Sequence, residues 1–137
     1  MPAKRILVVD DNAIVRSLVR KLFQSQPDFE ISAEAENGRD ALDKAEKLRP
    51  DLIILDLVMP VMTGLDAAPL LKELLPNTPI ILFTQQEGSE VERLARAAGI
   101  DAVVSKTQVA SELLLKAQTL LDSMERQHDP AKFRDAS

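Results

Sequence analysis

Residues 52–64 read LIILDLVMPVMTG. Four consecutive apolar residues, Leu52 to Leu55, run straight into a carboxylate, Asp56, and the stretch closes through Pro60 and Gly64. A run this short, rich in branched side chains and bounded by Pro50 and Pro60, reads as a strand buried on both faces. Strands of that kind belong to parallel sheets covered by helices. Asp56 then marks the point where the strand leaves the core.

The flanking sequence repeats the pattern. Arg5 to Asp10 is a β-branched run ending in acid, followed by an amphipathic stretch from Ala13 to Gln24 with Ile14, Leu18, Leu22 and Phe23 at helical spacing. Phe29 to Ala35 alternates as a second, less buried strand, and Asn37-Gly38-Arg39-Asp40 opens a helix that runs through Leu48 and stops at Pro50. Asp51 to Asp56 is the third strand and Thr63 to Leu75 the third helix. Pro79 to Thr84 follows as a strand, Ser89 to Ala98 as a helix closed by Gly99, and Ala102 to Lys106 as the fifth strand. Val109 to Met124 supplies the last helix, with Leu113, Ala117, Leu120, Leu121 and Met124 on one face. Strict alternation of apolar strands with helices implies an α/β fold, a doubly wound parallel sheet with five strands and five helices.

Composition bounds the rest. At 137 residues, with 45% apolar residues and no internal repeat, the chain fits one globular domain spanning residues 1–124. Residues 125–137 turn polar and read as a tail or a truncated linker. No strictly apolar run exceeds five residues, far short of the ~20 of a membrane span. Met1-Pro2-Ala3-Lys4 leads directly into a strand rather than a signal peptide, so a cytoplasmic location is expected. Zero cysteines exclude disulfides, thiol nucleophiles and cysteine-based zinc sites. A net charge of −5 argues against direct, sequence-independent nucleic-acid binding.

In open parallel sheets ligands bind outside the carboxyl ends of the strands. Here those ends carry Asp10 and Asp11 on the first strand, Asp56 on the third, Thr84 on the fourth and Lys106 on the fifth. Three carboxylates brought together raise one another's pKa unless a cation joins them. Two acids and several waters suit Mg²⁺.

In this order and at these spacings, four motifs carry a resemblance. They are Val8-Val9-Asp10-Asp11-Asn12, Leu55-Asp56-Leu57-Val58-Met59-Pro60 with Gly64 eight residues past the acid, Thr84, and Ser105-Lys106. From about Lys4 to Met124 the chain resembles the receiver domain of two-component response regulators, similar to the stand-alone chemotaxis type. That resemblance implies a flavodoxin-like sheet of strand order 2-1-3-4-5. It implies that Asp56 accepts a phosphoryl group from a phosphohistidine on a histidine kinase or histidine phosphotransfer protein. Asp10, Asp11, Asp56 and the Val58 carbonyl would hold Mg²⁺, Thr84 would bond the phosphoryl oxygens, and Lys106 would neutralise their charge. The face from the fourth to the fifth helix, Val91 through Leu120, is where such domains dock downstream proteins or form homodimers.

Each residue also has a plainer reading. Asp11 or Asn12 serves equally well as the N-cap of the first helix. Met59 and Met62 read as packing residues, and His128, alone in a polar stretch, lacks co-ligands. The chain departs from the family pattern at four places. Val103 stands where an aromatic switch residue is common, Thr107 follows the lysine in place of the usual proline, and Gln85 replaces a small residue after Thr84. Without proline, a trans Lys106–Thr107 bond is expected. Pro69 falls inside the third helix, where it kinks the helix or forces it to begin near Ala68.

Other classes fit less well. A phosphohydrolase with an aspartyl nucleophile repeats the acid two residues on, where this chain has Val58, and a flavin carrier needs a phosphate-cradling loop where this chain has acids. A receiver acting as an interaction module with little phosphorylation, or the receiver fragment of a transcription factor, shares every motif.

Overall fold

A computed structural model describes residues 2–108 and 110–127. The chain alternates without exception: β1 (Lys4–Val9), α1 (Ala13–Gln24), β2 (Phe29–Ala35), α2 (Gly38–Leu48), β3 (Leu52–Leu55), α3 (Gly64–Leu74), β4 (Ile80–Thr84), α4 (Ser89–Ala97), β5 (Ala102–Ser105) and α5 (Ala110–Gln127). All four strand pairs are parallel and the sheet order is β2-β1-β3-β4-β5. Order reverses between β1 and β3, which lie side by side at the centre. This is the flavodoxin-like arrangement the motifs imply.

Successive strand side chains point to opposite faces, and each face has its own core. Ile6, Val8, Leu52, Ile54 and Ile81 pack with Val19 and Phe23 of α1 and with Leu113, Ala117 and Leu121 of α5. Leu7, Val9, Ile53, Leu55, Ile80 and Leu82 pack with Ala41 and Ala45 of α2, Ala67, Ala68 and Leu71 of α3, and Ala95 of α4. The four residues of β3 are at most 1% exposed, so both faces are covered there. Each such side chain contributes roughly 1.5–3 kcal/mol by leaving water. The edge strand β2 buries only Phe29 and Ala35 at its two ends, in keeping with its weaker pattern.

Element boundaries match the expected ones or differ by one residue, except at the end of α5. β1 and β3 stop at Val9 and Leu55, which leaves Asp10 and Asp56 as the first residues past their strands. α5 reaches Gln127, three residues beyond the expected end at Met124. Val109 and His128 lie outside the described residues. α4 closes as expected on Gly99, whose φ of 88° lets the Ile100 N–H turn back to the Ala95 carbonyl at 3.0 Å.

Pro69 neither starts nor ends α3. The helix begins at Gly64, with the Thr63 hydroxyl accepting the Asp66 N–H at 3.2 Å, and runs through Pro69 to Leu74. The expectation of a start near Ala68 is therefore corrected. Pro69 lies on the exposed face, where water can serve the carbonyl it leaves without a donor, while Ala67, Ala68 and Leu71 hold the opposite face in the core.

The β3–α3 loop folds tightly beneath the end of β3. The Gly64 N–H donates to the Leu57 carbonyl at 2.9 Å, and a Cβ on Gly64 would stand 2.1 Å from the Asp56 carbonyl oxygen. Only glycine fits there. Val61, by contrast, is 80% exposed with φ 69°, a region that costs a β-branched residue about 1–2 kcal/mol. Val61→Asn, which adopts that conformation more readily, is expected to stabilise the protein by about 1 kcal/mol in urea denaturation. No gain would show that the loop relaxes around Val61.

Candidate functional site

β1 and β3 are adjacent and in register, Val9 beside Leu55, so the residues that follow them emerge together. The Asp56 N–H donates to the Val9 carbonyl at 2.9 Å and the Asp10 N–H to the Ala35 carbonyl at 3.0 Å, which fixes both backbones at the sheet edge. Asp10 is 2% and Asp56 6% exposed. One carboxylate oxygen from each of Asp10, Asp11 and Asp56 lies within 4.8 Å of the other two.

Asn12, not Asp11, caps α1. Its side-chain oxygen accepts the Ile14 N–H at 2.9 Å, which leaves the exposed Asp11 carboxylate beside Asp10 and Asp56.

One cation sits among these acids. Lys106 Nζ donates to Asp10 Oδ2 at 2.7 Å and pairs with Asp56 Oδ1 at 3.3 Å. Burial pulls the Lys106 pKa down, but the hydrogen bond and charge of Asp10, helped by Asp56, outweigh it and hold the ammonium above the usual lysine range. Asp56 goes the other way from a normal acid. Its burial, with repulsion from Asp10, pushes its pKa up against the opposing pull of Lys106 and of the Leu57 N–H. The Leu57 N–H reaches Asp56 Oδ1 at 2.8 Å. Two buried carboxylates thus share one ammonium, with a third acid at the rim.

Thr84 ends β4 fully buried, and its hydroxyl oxygen accepts the Gln86 N–H at 3.1 Å. Asp10, Asp11, Asp56, Thr84, Lys106 and Val58 all line one open cleft of about 290 Å³, with Gln85 and Gln86 at its rim. Every residue singled out in the sequence for this site is brought to it. The cluster offers three carboxylates, the hard oxygen donors a divalent cation takes. Val58, 61% exposed, lines the cleft from its open side. Met59, 6% exposed, packs into the core as expected.

The fifth strand carries features that sequence reading missed. Glu87 accepts hydrogen bonds from the Ser105 hydroxyl and, at 2.7 Å, from the Thr107 hydroxyl. Those two bonds, Ser105 first, hold its pKa below the usual carboxylate range. Glu87 thereby ties the loop after Thr84 to the loop after Ser105. The Lys106–Thr107 peptide is trans, as expected without proline. Val103 packs against the core below. The only signal was the pair of hydroxyls flanking Lys106, and nothing local linked them to Glu87.

The family profile described as response regulator receiver domain matches residues 6–118. The chain is 39% identical over 114 residues to the response regulator protein VraR of Staphylococcus saprophyticus, covering 82% of this chain and 54% of that one. It is 39% identical over 108 residues to a protein-glutamate methylesterase/protein-glutamine glutaminase of Nocardioides sp., covering 77% of this chain and 30% of that one. The chain thus spans about half of one curated relative and under a third of the other. Among solved structures, a CheY-like response regulator receiver domain protein from Methanospirillum hungatei JF-1 superposes with a TM-score of 0.85 at 25% identity, covering 92% of this chain and 99% of that one.

Because Asp56 titrates above its ordinary value, the folded state keeps its proton at a pH where the unfolded chain has lost it. The stability of the fold therefore falls as pH rises from the ordinary carboxylate range through that raised value, and above it the ionised, desolvated carboxylate carries the penalty. Asp56→Asn removes it and leaves Lys106 its closer partner, Asp10. Measured in urea with a chelator present, Asp56→Asn should be more stable than the native sequence at pH 7, with the two converging at acid pH. Equal stability at pH 7 would mean that Lys106 fully compensates the buried charge.

Proposed function

This chain belongs to the response regulator receiver domain family, and we propose that within a two-component phosphorelay it takes a phosphoryl group onto Asp56 from a phosphohistidine of a histidine kinase or histidine phosphotransfer protein. The observation that carries this reading is the Asp56 carboxylate, buried at a cleft floor with Lys106 Nζ 3.3 Å away and two further acids alongside.

Phosphoryl transfer asks for positioning and charge neutralisation more than for covalent chemistry by the protein. An Asp56 oxygen attacks phosphorus as the P–N bond to the donor imidazole breaks, giving an acyl phosphate. The Leu57 N–H orients the carboxylate through Oδ1. Lys106, already paired with Asp56, meets the charge that the phosphoryl oxygens bring. The Thr84 hydroxyl turns from the Gln86 N–H to donate to a phosphoryl oxygen. Asp10, Asp11, Asp56 and the Val58 carbonyl are the residues to hold Mg²⁺, which when bound neutralises charge on the transferring group. Gln85 and Gln86, at the rim, govern approach to the acceptor.

On this reading the chain catalyses only its own phosphorylation and dephosphorylation. Capture of the phosphoryl by Thr84 and Lys106 displaces the loops after β4 and β5, which border the face from α4 to α5. A downstream protein, or a second copy of the chain, reads that face. No helix among the described residues is long and apolar enough to cross a membrane, which is compatible with a cytoplasmic place of action. The polar residues 125–137, the first three of which end α5, serve as a tail or as a linker.

Intact-protein mass spectrometry after incubation with acetyl phosphate and Mg²⁺ tests the proposal. One phosphoryl group should be added to the native protein, with none added to Asp56→Asn or in the presence of excess chelator. A modified Asp56→Asn protein would reassign the acceptor. An unmodified native protein, with cognate donors also failing, would favour an interaction module.

A further inference from the structure

Asp10 is held at more points than a strand-terminal acid needs. Its N–H reaches the Ala35 carbonyl at 3.0 Å and its Oδ1 accepts the Asn12 N–H at 2.9 Å. Its carbonyl oxygen takes neither β2 nor β3 as partner. Instead it accepts a charged hydrogen bond of 2.6 Å from Arg16 Nη1.

Arg16 lies one turn into α1, its side chain 13% exposed. The guanidinium does not rest on Asp10 alone. Arg16 Nε donates to Glu34 Oε1 at 3.0 Å, and the other Glu34 oxygen receives Arg20 Nε at 2.9 Å. Those arginines, Arg20 foremost, hold the Glu34 pKa below the usual carboxylate range despite an opposing contribution from burial. Glu34 sits on β2 beside Val8 of β1. Arg16 is therefore a brace from the sheet to the peptide joining Asp10 to Asp11.

We propose that Arg16 is a positioning residue for the cation site: by clamping the Asp10 carbonyl against Glu34 it sets the plane of the Asp10–Asp11 peptide, and with it the aim of both carboxylates. A planar fork that donates in two directions at fixed angles does this in a way that a flexible ammonium cannot. The proposal rests on reading Asp10, Asp11 and Asp56 as the cation site. Its sign is opposite to the electrostatic one. A positive charge near a divalent cation repels it, so removing Arg16 for its charge alone would tighten binding. Removing a clamp that orients the ligands weakens it, typically by tenfold or more for outer partners of metal ligands.

The experiment is an Mg²⁺ titration of the full chain, followed by NMR amide shifts of residues 10–12 and 56–58, for the native protein and for Arg16→Gln, Arg16→Lys and Arg20→Gln. Arg16→Gln should weaken Mg²⁺ binding roughly tenfold. Arg16→Lys, which keeps the charge but cannot reach Asp10 and Glu34 together, should also weaken it. Arg20→Gln, which loses charge and a Glu34 contact without touching Asp10, should bind within about twofold of native. If Arg16→Gln does not fold, Arg16→Lys decides alone. Native-like or tighter binding in a folded Arg16 variant overturns the brace while leaving the cation site intact. A native protein that shows no saturable Mg²⁺ shift overturns both the site and the brace.

Discussion

Among the described residues Lys106 is the single ammonium paired with these carboxylates, and the architecture around it makes that imbalance unavoidable. β1 and β3 are neighbours at the reversal of strand order, covered by helices on both faces, and each runs as apolar residues to its last position. The next residue on each is the first that meets the cleft, and on both it is an aspartate. Asp10 and Asp56 are consequently nearly buried and close together, and Lys106, from the far side of β4, reaches back across to both. Charge of one sign exceeds the other around two nearly buried carboxylates at the floor of the open cleft. A hard cation or a proton relieves the excess, and an incoming phosphoryl group changes its distribution. In the proposed function, cation binding, acceptor reactivity and response would therefore share one electrostatic origin.

The surroundings keep those groups from relaxing apart. Gly64 allows the β3–α3 loop to pass directly under the Asp56 carbonyl. Asn12 takes the helix-capping role that would otherwise draw Asp11 away from the cleft. On the β5 side, where Val103 offers no ring to swing, the Lys106 N–H donates to the Thr84 carbonyl at 2.8 Å, and the Glu87 carboxylate held by Ser105 and Thr107 adds a side-chain link between the two loops. Thr107 makes that contact because it is not proline at that position.

What was legible in the sequence was whatever a strand or helix announces within its own few residues. LIIL before Asp56 gave a buried strand, and alternation of such runs with amphipathic segments gave the doubly wound sheet. The strand ends then named Asp10, Asp11, Asp56, Thr84 and Lys106. Pro69 misled in one of its two readings, because a proline on an exposed helix face loses one hydrogen bond to water while three buried side chains keep the helix in place. Arg16 and Glu87 were not legible. Arg16 looks like any polar residue on an amphipathic helix, and its partners, Glu34 and the Asp10 carbonyl, become neighbours only when β2 pairs with β1. Glu87 bonds to residues 18 and 20 positions away, which no local pattern encodes.

The most direct test of this electrostatic account is the titration of the Asp56 carboxyl itself, followed by carbon-13 NMR of the side chain with and without Mg²⁺. The account predicts that Asp56 titrates above the ordinary aspartate range in the absence of the cation and that saturating Mg²⁺ lowers its pKa. An Asp56 that titrates at the ordinary value, unmoved by Mg²⁺, would contradict the claim that crowded, desolvated carboxylates organise this site.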